Sequence, residues 1–124
     1  MSLKLHSVAN GKTPATERVW IQVTESVNLK GYAVVDRTFA ATGQLSNEFR
    51  HIFIFPDKQV SKGEWVCLTT GTGTYGRKKF SDSDTYYHEF YWGSSGCIWN
   101  NNGGDTASLI KYSLVNSVDV PAAE

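Results

Sequence analysis

The chain has 124 residues, with 12 Lys and Arg balanced by 12 Asp and Glu, 40% hydrophobic residues and 13% aromatic. That length suits one domain able to bury roughly two-thirds of the surface its unfolded chain exposes, and this composition excludes a disordered tail. A formal net charge of zero lacks the basic excess of a dedicated nucleic-acid binder, so nucleic acid is an unlikely partner.

The apolar runs are too short for a segment that spans a bilayer, so no membrane insertion is expected. Met1-Ser2-Leu3-Lys4 leads into polar sequence rather than a leader peptide. The expected location is cytoplasmic for the chain as given, and secreted or surface if an upstream signal has been removed. Cys67 and Cys97 form neither a zinc set nor a C-x-x-C pair. Two reduced thiols are expected in the absence of an oxidising compartment.

The periodicity is that of strands. Residues 1–16 are small and polar and are expected to be loosely held. Val19-Trp20-Ile21-Gln22-Val23-Thr24 alternates, placing Val19, Ile21 and Val23 on one face. Gly31 to Asp36 is a β-branched run behind a glycine. Leu45 to Phe49 has room for at most one helical turn. His51 to Phe55 stops at Pro56-Asp57, and Glu64 to Thr70 ends at Gly71. Tyr86 to Trp92 ends at Gly93, and Thr106 to Ile110 follows Gly103-Gly104-Asp105. Residues 117–124 again read as a loose end. Short strands punctuated by turn residues predict an all-β, immunoglobulin-like sandwich of about seven to nine mostly antiparallel strands, in one domain over 1–124.

Several motifs fail on context. Gly71-Thr72-Gly73-Thr74-Tyr75-Gly76 fits G-x-G-x-x-G, but Arg77-Lys78-Lys79-Phe80 follows where a helix is required to meet a pyrophosphate. A hairpin loop is expected there, with Arg77, Lys78 and Lys79 as a solvated tip that at most touches an anion. Gly93-Ser94-Ser95-Gly96 has the wrong spacing for a hydrolase elbow. His6, His51 and His88 have no metal-ligand spacing, and His51 is expected as a core or rim histidine beside Phe53 and Phe55. His88 and Glu89 fall on opposite sides of their strand. Asp82, Asp84, Asn100 to Asn102 and Asp105 are rich in oxygen but lack the order of a calcium loop. No metal and no cofactor are expected.

Leu29-Lys30-Gly31-Tyr32-Ala33-Val34-Val35-Asp36 resembles the L-x-G-W/Y-x-L/V-x-D segment of lamin tail domains, an immunoglobulin-like family. His51-x-Phe53-x-Phe55, Gly63, Val66 and Thr70-Gly71-Thr72-Gly73 resemble the next blocks of its bacterial branch. Tyr91-Trp92-Gly93, Ile98-Trp99-Asn100-Asn101 and Gly104-Asp105-Thr106-Ala107-x-Leu109 follow in order, the last similar to W-N-N-x-G-D-T-A-x-L. The blocks cover about residues 17–110. Val23 to Ser26 lacks the family's asparagine, and Lys111 to Val115 lacks its glycine hairpin. The resemblance implies a sandwich that is not an enzyme and that serves as a binding or assembly module. It makes Gly31, Tyr32, Asp36, Gly63, Trp99, Asn100, Asn101, Gly104 and Asp105 parts of the scaffold.

Strand alternation also predicts which side chains face away from the core. With Phe53, Phe55, Val66, Leu68, Tyr32 and Val34 inward, the outward set includes Ile52, Ile54, Trp65, Cys67, Ala33, Val35 and Trp20. That is an apolar excess for a sheet surface. Trp20, Val35, Ile52, Ile54, Trp65 and Cys67 are therefore the expected partner contacts, on one outer face that meets a second copy or a larger protein. The bland alternative is that Thr38 to Asn47 and Gly71 to Thr85 fold back over this face. An alternative function is carbohydrate or small-ligand binding by exposed rings, among Trp20, Trp65, Tyr75 and Tyr87. Nucleic-acid binding is carried only by analogy with lamins.

Overall fold

The computed structural model describes residues 1–39, 45–99 and 106–123. Among them are ten strands and no helix: β1 (Leu3–Ala9), β2 (Arg18–Val23), β3 (Val27–Asn28), β4 (Tyr32–Phe39), β5 (Leu45–Ile54), β6 (Gln59–Val60), β7 (Trp65–Thr69), β8 (Gly76–Lys79), β9 (Tyr86–Tyr91) and β10 (Thr106–Lys111). One sheet has the order β1-β2-β7-β9-β8, a second the order β10-β4-β5, and β3 and β6 form a two-residue ladder. All pairs are antiparallel except β7 with β9, which run parallel. The protein is an all-β sandwich.

The core forms where the inward sets of the two sheets meet. Leu3, Val19, Ile21, Val23, Val66, Leu68 and Phe90 come from the larger sheet and Val34 from the smaller. Leu29, Phe55, Val60, Ile98 and Trp99 close its ends. Phe53, Tyr32, Ala107 and Leu109 pack against it half-buried, so the period-2 reading of β2, β4, β5 and β7 places the inward residues correctly. The chain reverses at Gly31 (φ +94°) and Gly63 (φ +91°), a backbone region that costs a side-chain-bearing residue steric strain.

Three expectations are corrected. Residues 3–9 are not loose: they form the edge strand β1, which pairs with β2 and buries Leu3 to 3% exposure. The register slips between Leu5, opposite Ile21, and Ser7, opposite Trp20. His6 is therefore the extra residue of a β-bulge, and it interrupts the alternation by which a strand is recognised. Leu45 to Phe49 is not a helical turn but the first half of β5. Arg77 to Lys79 is not a loop tip but most of β8, an edge strand whose run of charge hides its period. Residues 117–123, by contrast, carry no secondary structure and are exposed, as expected.

Because Leu3 belongs to the core, Leu3→Ala should lower unfolding free energy by about 2–4 kcal/mol in urea titrations. A loosely held N-terminus would leave the midpoint where it was.

Candidate functional site

The six expected contact residues do not share one face. Val35, Ile52 and Ile54 lie on the outer side of the three-stranded sheet, whereas Trp20, Trp65 and Cys67 lie on the outer side of the five-stranded sheet. Val35 and Cys67 are also fully buried, so neither presents surface to a partner. Val35 sits in the central strand between Ile52 of β5 and Ser108 of β10, which cover it from both sides. Ile52 and Ile54 remain 46% and 54% exposed on the edge strand.

On the larger sheet, register brings Trp20 opposite Cys67, and Trp65 opposite Tyr87. Trp20 is the hub of a ring cluster, with centroids 6.3 Å from Trp65, 5.4 Å from Tyr87 and 5.7 Å from Phe80. Phe80 comes from the Gly71 to Thr85 segment and also meets Tyr87 at 4.6 Å, so that segment does fold over this face. Residues 40–44 of the other proposed covering loop lie outside the described residues. Trp20 stands at 84° to Trp65 and 69° to Tyr87. Rings set square to one another make no flat platform for a sugar. Tyr75, the fourth ring of the carbohydrate reading, is elsewhere, packed on His88 and Phe90.

Beside the rings lies a charged network. Glu89 is buried and accepts from the Thr69 hydroxyl at 2.7 Å and from Lys78, with Arg18 at 3.8 Å. Burial pushes the Glu89 carboxyl up, but hydrogen bonds from Lys78, Thr69 and Tyr91 outweigh it and leave the pKa lowered. Arg77 pairs with Glu64 at 2.9 Å and Lys79 with Asp84 at 3.7 Å. All three expected anion contacts thus already have a carboxylate partner, and an anion would have to displace it.

A second network, missed from sequence, links Tyr75, His88 and Glu64 at the inner edge of the same sheet. The Tyr75 hydroxyl lies 2.6 Å from His88 Nδ1, and His88 Nε2 lies 2.9 Å from Glu64 Oε1. Glu64 accepts, so Nε2 carries the proton, and in the neutral ring Nδ1 accepts from the tyrosine. Glu64 also accepts from the Ser61 amide and from Arg77. Burial raises its pKa, while the bonds from His88, Ser61 and Arg77 lower it further, for a net decrease. The order hydroxyl, imidazole, carboxylate is that of an activated nucleophile. Burial, followed by the charge of Glu64, raises the Tyr75 pKa and so opposes the phenolate. The three residues tie the residue before β7 and the residue before β8 to β9. Alternation does separate His88 from Glu89, which face opposite sides as expected.

Glu17 is the other group that sequence reading missed. Completely buried before β2, it accepts from the Thr70 hydroxyl and the Ile98 amide, each at 2.8 Å, and from the Trp99 amide at 3.4 Å. One carboxylate therefore holds the 97–99 segment to the sandwich. Nothing near Glu17 in sequence marks it, since all three partners are more than 50 residues away.

Among the scaffold residues, Gly31, Tyr32 and Gly63 sit at strand entries or turns, as expected. Asp36 is buried with Oδ2 at 3.2 Å from His51 Nδ1. Trp99 is buried against Trp92 at 6.1 Å. Asn100, Asn101, Gly104 and Asp105 lie outside the described residues, as does Asn102, and with them most of the oxygen-rich cluster. Its remaining members are Asp82, in a left-handed conformation, and exposed Asp84. Among the described residues no group of three His, Cys, Asp or Glu could hold a metal, and no helix is long and apolar enough to cross a membrane. Cys67 and Cys97 are free thiols, and burial pushes the Cys67 pKa up to about 11.

Set against family models, curated proteins and solved structures, the chain matches none.

Two predictions follow from these networks. Glu64 and Glu89 both have lowered pKa values, so their contribution to stability is complete above the ordinary value of 4.5 and is lost as pH falls through their folded values. Urea midpoints should be level from about pH 7 to 5 and fall below that, with a shallower fall in Glu64→Gln. In thiol titration of the folded protein Cys97 should react promptly and Cys67 only after denaturant is added, because thiolate and access are both needed.

Proposed function

We propose that this chain is a non-catalytic binding and assembly module that takes a protein partner on the outer face of its three-stranded sheet. The observation that carries the reading is the pair Ile52 and Ile54, about half exposed on β5. Register sets them beside Val35 and Ala33 of β4, and Ile110 of β10 lies beyond Ala33. Ala33 and Val35 are themselves fully buried, so the exposed aliphatic surface of this face is the strip of Ile52 and Ile54 on one edge strand, with half-buried Ile110 on the other. A sheet face that meets only water carries polar residues at such positions.

A second apolar element leaves the same sheet. After β10 the chain continues without secondary structure, with Leu114, Val115, Val118 and Val120 all largely exposed. Strip and tail together offer aliphatic surface of the kind that protein interfaces bury at their centre. The lamin-tail-like order of motifs supports the same class of role, since it implies a scaffold used for docking. Protein is favoured over nucleic acid because the net charge is zero and Arg77, Lys78 and Lys79 are each paired with a carboxylate.

Light scattering over a concentration series tests this, with a second copy as the first partner examined. Wild type should show mass rising above 13.8 kDa with concentration, and Ile52→Lys/Ile54→Lys should stay monomeric. Exposed substitutions cost within about 0.5 kcal/mol, so the variant should melt like wild type. A variant that associates as wild type does, or that loses several kcal/mol of stability, would remove this face from the reading.

A further inference from the structure

The five-stranded sheet carries a small cavity on its outer side, of about 210 Å³, lined by His6, Ser7, Trp20, Trp65 and Phe80. We propose that it is a binding site for a quaternary ammonium group. This inference is independent of protein docking, which uses the opposite sheet.

The walls are nearly square to one another. Trp65 meets Trp20 at 84° with centroids 6.3 Å apart, and meets His6 at 81° with centroids 5.1 Å apart. Phe80 extends the Trp20 side at 5.7 Å and 36°. The β-bulge in β1 supplies the remaining wall of this open depression. Leu5 pairs with Ile21 and Ser7 with Trp20, so the extra residue His6 and its neighbour Ser7 both reach the outer face. Regular alternation would send one of two adjacent side chains inward, and bulges re-aim side chains in this way at functional sites.

The chemistry of the walls selects the occupant. Four of the five lining residues are aromatic rings, and none is Lys, Arg, Asp or Glu. Ring faces carry partial negative charge and attract a cation within about 6 Å of the centroid, while they repel an anion. The polar atoms available are few, and His6 Nδ1 and the Ser7 hydroxyl bond to each other at 2.9 Å. A sugar hydroxyl or a primary ammonium would leave several water partners for few replacements, which is costly. A quaternary ammonium has no N–H to satisfy. It offers positive charge on a methyl surface, the combination that this lining accepts. The cavity is smaller than the roughly 300–1,000 Å³ of sites for drug-sized ligands, which fits a headgroup rather than a whole cofactor.

The test is titration of the full chain with choline, followed by tryptophan fluorescence and calorimetry. The neutral isostere 3,3-dimethylbutan-1-ol, in which carbon replaces the charged nitrogen, serves as comparison. Choline should bind saturably and change the fluorescence, with the isostere at least ten-fold weaker. Trp65→Ala should abolish binding. Ser7→Phe, which fills the cavity from an exposed strand and leaves every ring in place, should do the same should Trp65→Ala fail to fold. Ile52→Lys/Ile54→Lys should bind as wild type does. A trimethyl-lysine peptide that binds more tightly than choline would assign the headgroup to a protein side chain, and the reverse order to a free metabolite. Equal binding of isostere and choline, preference for an oligosaccharide, or no binding of either cation would overturn the proposal.

Discussion

The constraint on which the larger sheet depends is that β7 must be covered on both sides. It is the middle strand of five, and its pairing with β9 is parallel. Val66 and Leu68 meet the sandwich core, while Cys67 and Thr69, on the other side, are equally buried. Among the described residues no second layer of helix or sheet lies over that outer side. Neighbouring side chains supply the cover: Trp20 and Trp65 with Phe80 and Tyr87 toward one end, and Glu89 with Lys78 and Arg18 toward the other. Parallel pairing brings Tyr87 and Glu89 into register with Trp65 and Cys67, so one register builds both halves of the cover.

This explains why the charged half is a network and not an ion pair. A carboxylate taken out of water beside β7 needs every lone pair answered, because the attraction of one cation does not repay the loss of solvent. Glu89 draws on Thr69 and Lys78, with Arg18 close by, and Glu64 draws on His88, Ser61 and Arg77. Glu17 departs from that rule: Oε1 alone accepts from the Thr70 hydroxyl and the Ile98 and Trp99 amides, while buried Oε2 has no partner among the described residues, and through Oε1 it fixes the segment that carries Ile98 and Trp99 into the core. The charges of β8 are exposed but each is paired with a carboxylate, which is why a run of Arg77, Lys78 and Lys79 does not leave an uncompensated basic surface.

Alternation made the inward faces of β2, β5 and β7 legible, and with them the exposure of Ile52 and Ile54. It did not distinguish outward from exposed. Val35 and Cys67 do point away from the core, yet each is a buried central-strand residue flanked by paired strands on both sides, and register is a property of pairs of strands that one strand's sequence does not contain. Of the four unread strands, β3 and β6 are only two residues long, and the two longer ones failed for opposite reasons. In β1 the bulge at His6 breaks the period, and in β8 an unbroken charged run conceals it. The Tyr75–His88–Glu64 and Glu17 networks join residues 11 to 82 positions apart, so no local motif announces them.

The two outer faces follow from the two sheets' different needs. The central strand of the smaller sheet has small side chains, Ala33 and Val35, both fully buried between neighbours that include Ile52, Ile54 and Ile110. What those neighbours leave in water is an aliphatic strip with no ring and no charge among them, a surface that gains from broad contact with another apolar surface. The larger sheet covers itself with rings that pack edge to face, and such packing leaves angular gaps between planes that cannot all be parallel. The gap between Trp65, Trp20 and His6 is the residue of that geometry, concave and π-lined where the opposite face is flat and aliphatic. A flat strip recognises area and a cornered pocket recognises shape and charge. The two proposed contacts, with a macromolecule on one side and a small charged group on the other, therefore use separate surfaces of the same sandwich.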